Sequence, residues 1–384
     1  MPDLGIRFAN MNPEERAAII QRAVDALRHD QCIVLPTDTL YGLVTRASAA
    51  GAGVLDDITG HPETIDESNN PPKMTLHLAD IDLILEHLVF EAATVRRLVD
   101  RLLPGPVRLV IEQPDSAIDA LCQALNIERG LIDNGSHIAL RVPDHPIFRQ
   151  VLRNAEVACV ARRLGAAVWA VGDNPGTDLS PIPDQFADKG VPKPELVIDD
   201  GLTHHQQNST TVQLGFDGRI DVSPDGVLTE RDILANLERT ILFVCTGNTC
   251  RSPMAQAIAQ HQLDQQEPEG ITTRVASAGV AAGEGMPATD EAVQVLERMG
   301  IELNDHQSRL LTLPMIDQAE IIYTMTPSHA QAIMTMAPNS VHKVFVLDEH
   351  QGVPDPIGQG IEIYQSTADR LGEFIARRLE EIRI

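Results

Sequence analysis

The chain is 384 residues long, more than one hydrophobic core usually organises, so two domains are expected. Hydrophobic residues make up 43% and charged residues 22%, the balance of a folded globular protein, and no apolar run approaches the ~18 residues of a membrane span. A formal net charge of −25, spread along the chain, repels nucleic-acid phosphates; it disfavours general nucleic-acid binding but leaves room for a small phosphate guest in one pocket.

The first residues, MPDLGIRFANMNPEER, have neither a basic start nor an apolar stretch, so no signal peptide is expected and the cytoplasm is the default location. PEERAAIIQRAVDALRH (13–29) has the period of an amphipathic helix, and QCIVLPTDTL (31–40) reads as a buried strand ending in a turn rich in hydroxyls and carboxylate. Such a turn at a strand's carboxyl end is where α/β sheets bind ligands. The segment 171–195 is rich in Pro, Gly and Asp and reads as a long surface loop. Thr229 and Asp232 fit a capping box opening a short helix, and a new buried strand follows at once. The domain boundary is therefore set at 230–240, with the 171–195 loop as its rival; the domains run 1–232 and 240–384.

In the second domain TILFVC (240–245), AEIIYTM (319–325) and KVFVL (343–347) read as buried strands. SPMAQAIAQHQL (252–263), ATDEAVQVLERMG (288–300) and STADRLGEFIARRLEEI (366–382) read as amphipathic helices. Strand–helix alternation predicts α/β domains with largely parallel sheets. The five cysteines (32, 122, 159, 245 and 250) are an odd number without framework spacing, which argues for reduced thiols, one of them reactive.

VCTGNTCRSP (244–253) carries the chemistry. A loop between a strand and a helix N-terminus aims backbone N–H groups at one point, where the helix dipole also favours an anion. Gly247 is expected to supply the tight turn, Asn248 to tolerate left-handed geometry and brace the loop, and Ser252 to cap the helix, with Pro253 in its first turn. Cys245, at the loop's start, sits where the field favours a thiolate, and the planar fork of Arg251 matches two phosphate oxygens. The pair fits nucleophilic attack on a phosphoryl group. C-x5-R alone is a weak signal; its placement on strand, loop and helix makes it strong. An acid for the leaving group and a base for water are also needed, and Asp355 in GVPDPIG (352–358) stands on a stiff exposed turn. Spacing alone leaves it a plain turn residue.

ILFVCTGNTCRSPMA, SAGV (277–280), HQSRLLT (306–312), YTMTPSH (323–329) and VPDPIG occur in the order of the low-molecular-weight phosphatases, and residues 240–384 resemble that family throughout. The resemblance implies Cys245 as nucleophile, Arg251 as phosphate binder and Asp355 as general acid, then base. It implies a phosphate-binding loop of Thr246, Gly247, Asn248, Thr249, Cys250 and Ser252, with Ser252 bonding the thiolate, a phosphorylated protein as substrate, and neither cofactor nor metal. Members resembling protein-arginine phosphatases carry Thr four residues after the nucleophile, as Thr249 does here. Tyrosine-specific members tend to be aliphatic there, so phosphoarginine is favoured over phosphotyrosine. Ile357 stands where the family usually has an aromatic wall. The related arsenate reductases need a further cysteine relay, and no cysteine follows Cys250. Cys250 itself reads equally as buried filler or as a resolving thiol for oxidised Cys245.

PTDTLYGL (36–43), LLPGPVRLV (102–110), IALRVPDHP (138–146) and NSTTV (208–212) appear in the order of the YrdC-like threonylcarbamoyl-adenylate synthases, and residues 15–230 resemble that family. The resemblance implies a twisted-sheet α/β fold and a ligand site with Thr37, Tyr41, Lys73, Arg141 and Ser209. It also implies ATP with Mg²⁺, threonine or RNA as ligands. The family's K-x-R step reads ITGHP (58–62), with Thr59 and His61 in place of both cations, and its serine-x-asparagine step reads CVARRLG (159–165). A triphosphate with Mg²⁺ needs fixed positive charge and a hydroxyl–amide lining. Synthesis is therefore expected to be lost or altered, with Arg162 or Arg163 as partial substitutes. Two whole-chain expectations stand: a phosphatase carrying a ligand- or RNA-binding module, or a bifunctional enzyme that also makes threonylcarbamoyl-adenylate.

Overall fold

The structure is a computed structural model, described here for residues 8–59, 72–163, 193–265 and 270–382. The chain divides into two compact units, Met1–Asn236 and Leu237–Ile384. No helix among the described residues is long and apolar enough to cross a membrane.

The first unit opens on the helix Pro13–Arg28, started by a capping box between Asn12 and Glu15 with Pro13 in its first turn. Its strands among the described residues are β1 (Ile33–Leu35), β2 (Gly42–Arg46), β3 (Thr75–His77), β4 (Val107–Glu112), β5 (His137–Arg141), β6 (Cys159–Arg163), β7 (Leu196–Val197), β8 (Thr210–Leu214) and β9 (Ile220–Val222). They form one sheet in the order β7-β1-β2-β6-β3-β5-β4-β8-β9. The sheet is mixed, which corrects the expectation of a largely parallel one: β1–β2, β2–β6, β3–β6, β4–β5 and β8–β9 are antiparallel. The strand read over 31–40 is shorter than expected, Ile33–Leu35, and the turn expected at its end follows directly. Pro36 has no N–H to continue a ladder, and the Thr37 hydroxyl donates to the Leu40 carbonyl at 2.5 Å, so the chain turns at 36–41 and returns as β2. The surface loop read at 171–195 lies outside the described residues up to 192.

The helix Glu230–Leu234 begins with the Thr229–Asp232 capping box. The second unit then has four strands among the described residues: β10 (Glu238–Cys245), β11 (Thr272–Gly279), β12 (Ile321–Thr324) and β13 (Val344–Val346). All pairs are parallel, in the order β11-β10-β12-β13. Strand β10 alternates between two cores. Ile241, Phe243 and Cys245 pack with Met254, Tyr364 and Leu371, whereas Leu242 and Val244 pack with Ile316, Ile322 and Ile333. Helices on both faces bury a parallel sheet completely. Because β11 and β12 flank β10 on opposite sides, the chain reverses its winding at the carboxyl end of β10, where open α/β sheets take ligands. Cys245 is the last residue of that strand.

Candidate active site

The loop after β10 is shaped by Asn248 more than by Gly247. Asn248 takes the left-handed conformation at φ 54°, and Gly247 is not among the residues of positive φ. From there Asn248 bonds in every direction: its side-chain amide donates to Ser252 Oγ at 2.9 Å and Ser277 Oγ at 3.0 Å, and its Oδ1 accepts from the Arg309 amide at 2.9 Å. Its carbonyl lies 2.7 Å from His306 Nε2. Gly279, at the end of β11, lets the loop approach. A Cβ there would collide with the Thr246 carbonyl and come within 2.9 Å of the Asn248 nitrogen.

The loop closes on the Cys245 sulfur. Its Sγ lies 2.9 Å from Ser252 Oγ and accepts from the Asn248 amide at 3.2 Å. Ser252 was expected to cap the helix; instead the helix runs Arg251–Asp264 with Cys250 at the N-cap and no side-chain cap bond. The left-handed turn at Asn248 brings the chain into the helix early, and the Ser252 hydroxyl is committed to Cys245 and Asn248. Three of the other thiols are removed from chemistry by burial, which pushes Cys32 and Cys159 up to about 12 and Cys122 upward as well. Cys250 is buried, with Tyr364 Oη at 3.4 Å and the Thr249 and Thr289 hydroxyls each at 3.6 Å.

Arg251 is 5% exposed, and its fork is turned toward the loop after β13. Nη1 donates to the Val353 carbonyl at 3.1 Å, Nη2 pairs with the Asp355 carboxylate, and the buried Nε has no partner among the described residues. Asp355 is 41% exposed, on the turn where Ile357 is 60% exposed. Cys245, Asn248 and Ser252 thus form one hydrogen-bonded cluster, and Arg251, the chain neighbour of Ser252, draws in Asp355. A buried guanidinium with an unpaired N–H beside a thiol held by a hydroxyl and an amide is equipped to seat a tetrahedral anion against sulfur.

Sequence reasoning gave no role to His329, although it stands in YTMTPSH. Its Nε2 is 2.9 Å from Thr246 Oγ1 and its Nδ1 is 2.9 Å from Thr326 Oγ1. Burial and the Arg251 charge push its pKa down to about 4, against the pull of Asp355. His306, Ser277 and Arg309 were also missed as braces of Asn248, and Gly279 as the residue that lets the loop approach. Only the fold shows them, since each lies 29–61 residues from that side chain.

In the first unit the structure joins Thr37 and Arg141 through one buried network. Arg141 Nη2 bonds Asp38 at 2.5 Å and Thr39 Oγ1 at 2.7 Å, and Thr37 Oγ1 lies 3.1 Å from Thr39 Oγ1. Burial lowers the Arg141 pKa, opposed by Asp38. Tyr41 is fully buried; its hydroxyl donates to the Gly201 carbonyl at 2.7 Å and accepts from the Asp200 amide at 3.0 Å. Lys73 is exposed just ahead of β3 and Ser209 half-buried just ahead of β8; neither bonds into the network among the described residues. Arg162 forms an ion pair with Asp56 at 2.7 Å, without the alignment of a hydrogen bond. The side chains of Thr59 and Arg163, and all of His61, lie outside the described residues.

The parallel sheet with its cysteine loop at the switch point defines the class. Residues 240–383 match the family described as low molecular weight phosphotyrosine protein phosphatase, and residues 25–223 match Sua5_yciO_yrdC, described as telomere recombination. The chain belongs to the first family through its second unit and to the other through its first unit. A protein-arginine-phosphatase of Bacillus subtilis (strain 168) is 40% identical over 148 residues, 37% of this chain and 96% of that protein. An arsenate reductase of Bacillus cereus (strain Q1) is 32% identical over 140 residues, 36% of this chain and 93% of that protein. The solved low molecular weight protein tyrosine phosphatase from T. tengcongensis is 36% identical, spanning 37% of this chain and 99% of its own, with a TM-score of 0.36.

Proposed function

We propose that the second unit is a cysteine-dependent protein phosphatase acting on phosphoarginine in the cytoplasm. The observation that carries this reading is the cluster of Cys245, Ser252 and the Asn248 amide at the end of β10, with Arg251 drawing in Asp355. Cys245 Sγ attacks phosphorus while Arg251 and the loop amides hold the phosphoryl oxygens. The bond to the leaving nitrogen or oxygen breaks, and Asp355 gives that atom its proton. As carboxylate, Asp355 then takes a proton from water, whose oxygen attacks the phosphocysteine. Inorganic phosphate leaves and the Cys245 thiolate returns. Arg251 must exchange Asp355 for the phosphoryl oxygens on binding, because its Nη2 is paired with that carboxylate.

Phosphoarginine is favoured by Thr249, a half-buried hydroxyl in the loop, and by Ile357, which offers no aromatic face for a phenol. The first relative's name, protein-arginine-phosphatase, supports the same choice. Arsenate reduction lacks its relay, since no cysteine follows Cys250. The test compares kcat/KM on phosphoarginine and phosphotyrosine peptides of matched flanking sequence. A preference for phosphotyrosine overturns the substrate choice and leaves the phosphatase class standing.

For the first unit we propose that adenylate synthesis is lost or altered and that a ligand-binding role is retained. Its described residues do not fit a triphosphate with Mg²⁺. Arg141 is committed to Asp38, Arg162 to Asp56, and the buried Val160 stands within the stretch where the family has its serine step.

A further inference from the structure

Thr246 is the exposed residue directly after Cys245, and its hydroxyl leans on a ring that the scheme above does not use. His329 is 5% exposed and bridges two hydroxyls, Thr246 Oγ1 on Nε2 and Thr326 Oγ1 on Nδ1, each at 2.9 Å. Thr326 Oγ1 in turn lies 2.8 Å from Ser328 Oγ. Thr326 is the N-cap of the helix Pro327–Met336, so the ring is anchored to the frame on one side and to the catalytic loop on the other. Its contact with Thr246, the residue after Cys245, sets it against the phosphate-binding loop.

We propose that His329 is a positioning residue that turns the Thr246 hydroxyl into a hydrogen-bond acceptor for a guanidinium leaving group, so that the Thr246–His329 pair selects phosphoarginine over phosphotyrosine. The proposal rests on the phosphatase function proposed above and adds a second selectivity element to Thr249. A guanidinium presents only donors. Thr246 can accept from one of its N–H groups if its own O–H points elsewhere, and neutral His329 accepts the hydrogen bond from that O–H at Nε2. The Nδ1–H then donates to Thr326 Oγ1, whose O–H donates to Ser328 Oγ, so both ring nitrogens are partnered. An imidazolium would break it, having no acceptor and setting one cation against another; burial and Arg251 keep the ring neutral at physiological pH. A phenolic leaving group has no N–H to offer and gains nothing from the arrangement. The bland alternative is that the ring only fills space behind the loop, in which case both substrates suffer alike when it is changed.

The experiment measures kcat/KM of the full chain on matched phosphoarginine and phosphotyrosine peptides. The variants are His329→Leu, His329→Gln, Thr246→Val and the double His329→Leu/Thr246→Val. His329→Leu and Thr246→Val are each expected to lower the phosphoarginine-to-phosphotyrosine ratio about tenfold or more, the scale of a hydrogen bond to a charged group. The double variant should fall no further, since the two side chains act as one unit. His329→Gln, whose amide retains an acceptor, should restore most of the ratio. Equal losses on both peptides in His329→Leu and Thr246→Val overturn the proposal, as does a full additive fall in the double variant. Should His329→Leu fail to fold, Thr246→Val, nearly isosteric and exposed, decides alone by the same ratio. Wild-type turnover of phosphotyrosine but not phosphoarginine sinks the proposal while sparing the phosphatase function, and turnover of neither removes both.

Discussion

Asp355 shows how much at the residue scale depends on partners. Its carboxylate is bound to the guanidinium proposed to bind substrate, so on the proposed scheme the acid and the phosphate clamp begin the cycle holding each other. If Asp355 protonates the leaving group, Asp355→Ala should lower kcat by ~10²–10⁴-fold, with the larger loss for poor leaving groups such as phenol than for activated aryl phosphates. Equal losses across the series would assign Asp355 to structure. Thr249 carries the substrate claim: Thr249→Ile should move kcat/KM away from phosphoarginine by roughly 2–10-fold, the scale of one neutral hydrogen bond, and toward phosphotyrosine. An unchanged ratio would remove Thr249 from selectivity. Cys245, Arg251, Asn248 and Ser252 were legible in sequence because ten contiguous residues hold them. His329 was not, since it meets Thr246 across 83 positions and YTMTPSH by itself does not show that contact.

At the scale of elements, the strand–loop–helix around Cys245 was readable because a buried run, a Gly-Asn step and a Ser-Pro start each have a local physical cause. The mixed sheet of the first unit was not. Short strands buried on both sides, such as Ile33–Leu35 and Thr75–His77, lose the alternation that would reveal their pairing partners. The catalytic loop should also give the second unit a pH dependence. His329 is depressed to about 4 and His306 is also lowered, chiefly by burial. Below the ordinary histidine range near 6.5 the unfolded chain takes up protons that the folded loop refuses, so stability is complete above about pH 6.5 and declines as pH falls toward 4. Hydrogen-exchange protection of the β10 amides, corrected for intrinsic rates, should fall over that window in the full chain. The fall should be smaller in His329→Gln. A flat profile would mean that the ring is not held neutral by the fold.

At the scale of the whole molecule, two units of different families share one chain, and they differ in how complete their sites are. The second unit brings together Cys245, Arg251 and Asp355, the proposed nucleophile, anion clamp and acid. In the first, Arg141, which bonds the PTDT turn, is paired with Asp38, and Arg162, expected as a partial substitute, is paired with Asp56. Each missing charge-assisted hydrogen bond to phosphate is worth about 1.5–3 kcal/mol, so on the proposed reading several together should weaken nucleotide binding by decades. Calorimetric titration of the full chain with ATP and Mg²⁺ should show no tight binding, and a threonine- and bicarbonate-dependent pyrophosphate assay should show no useful rate. Threonine-dependent turnover would make the chain a bifunctional enzyme.

The central claim is that catalysis passes through phosphorus bonded to Cys245, and trapping that bond tests it most directly. On the proposed scheme Asp355→Ala should slow hydrolysis of the intermediate as well as its formation. Brief incubation of this variant with an activated aryl phosphate, acid quench and peptide mass spectrometry should therefore find one phosphoryl group on the peptide containing Cys245. The same treatment of the Asp355→Ala/Cys245→Ala double variant should find none. Turnover of phosphorylated substrate by Cys245→Ala, or a phosphoryl group on any other residue, would contradict the account.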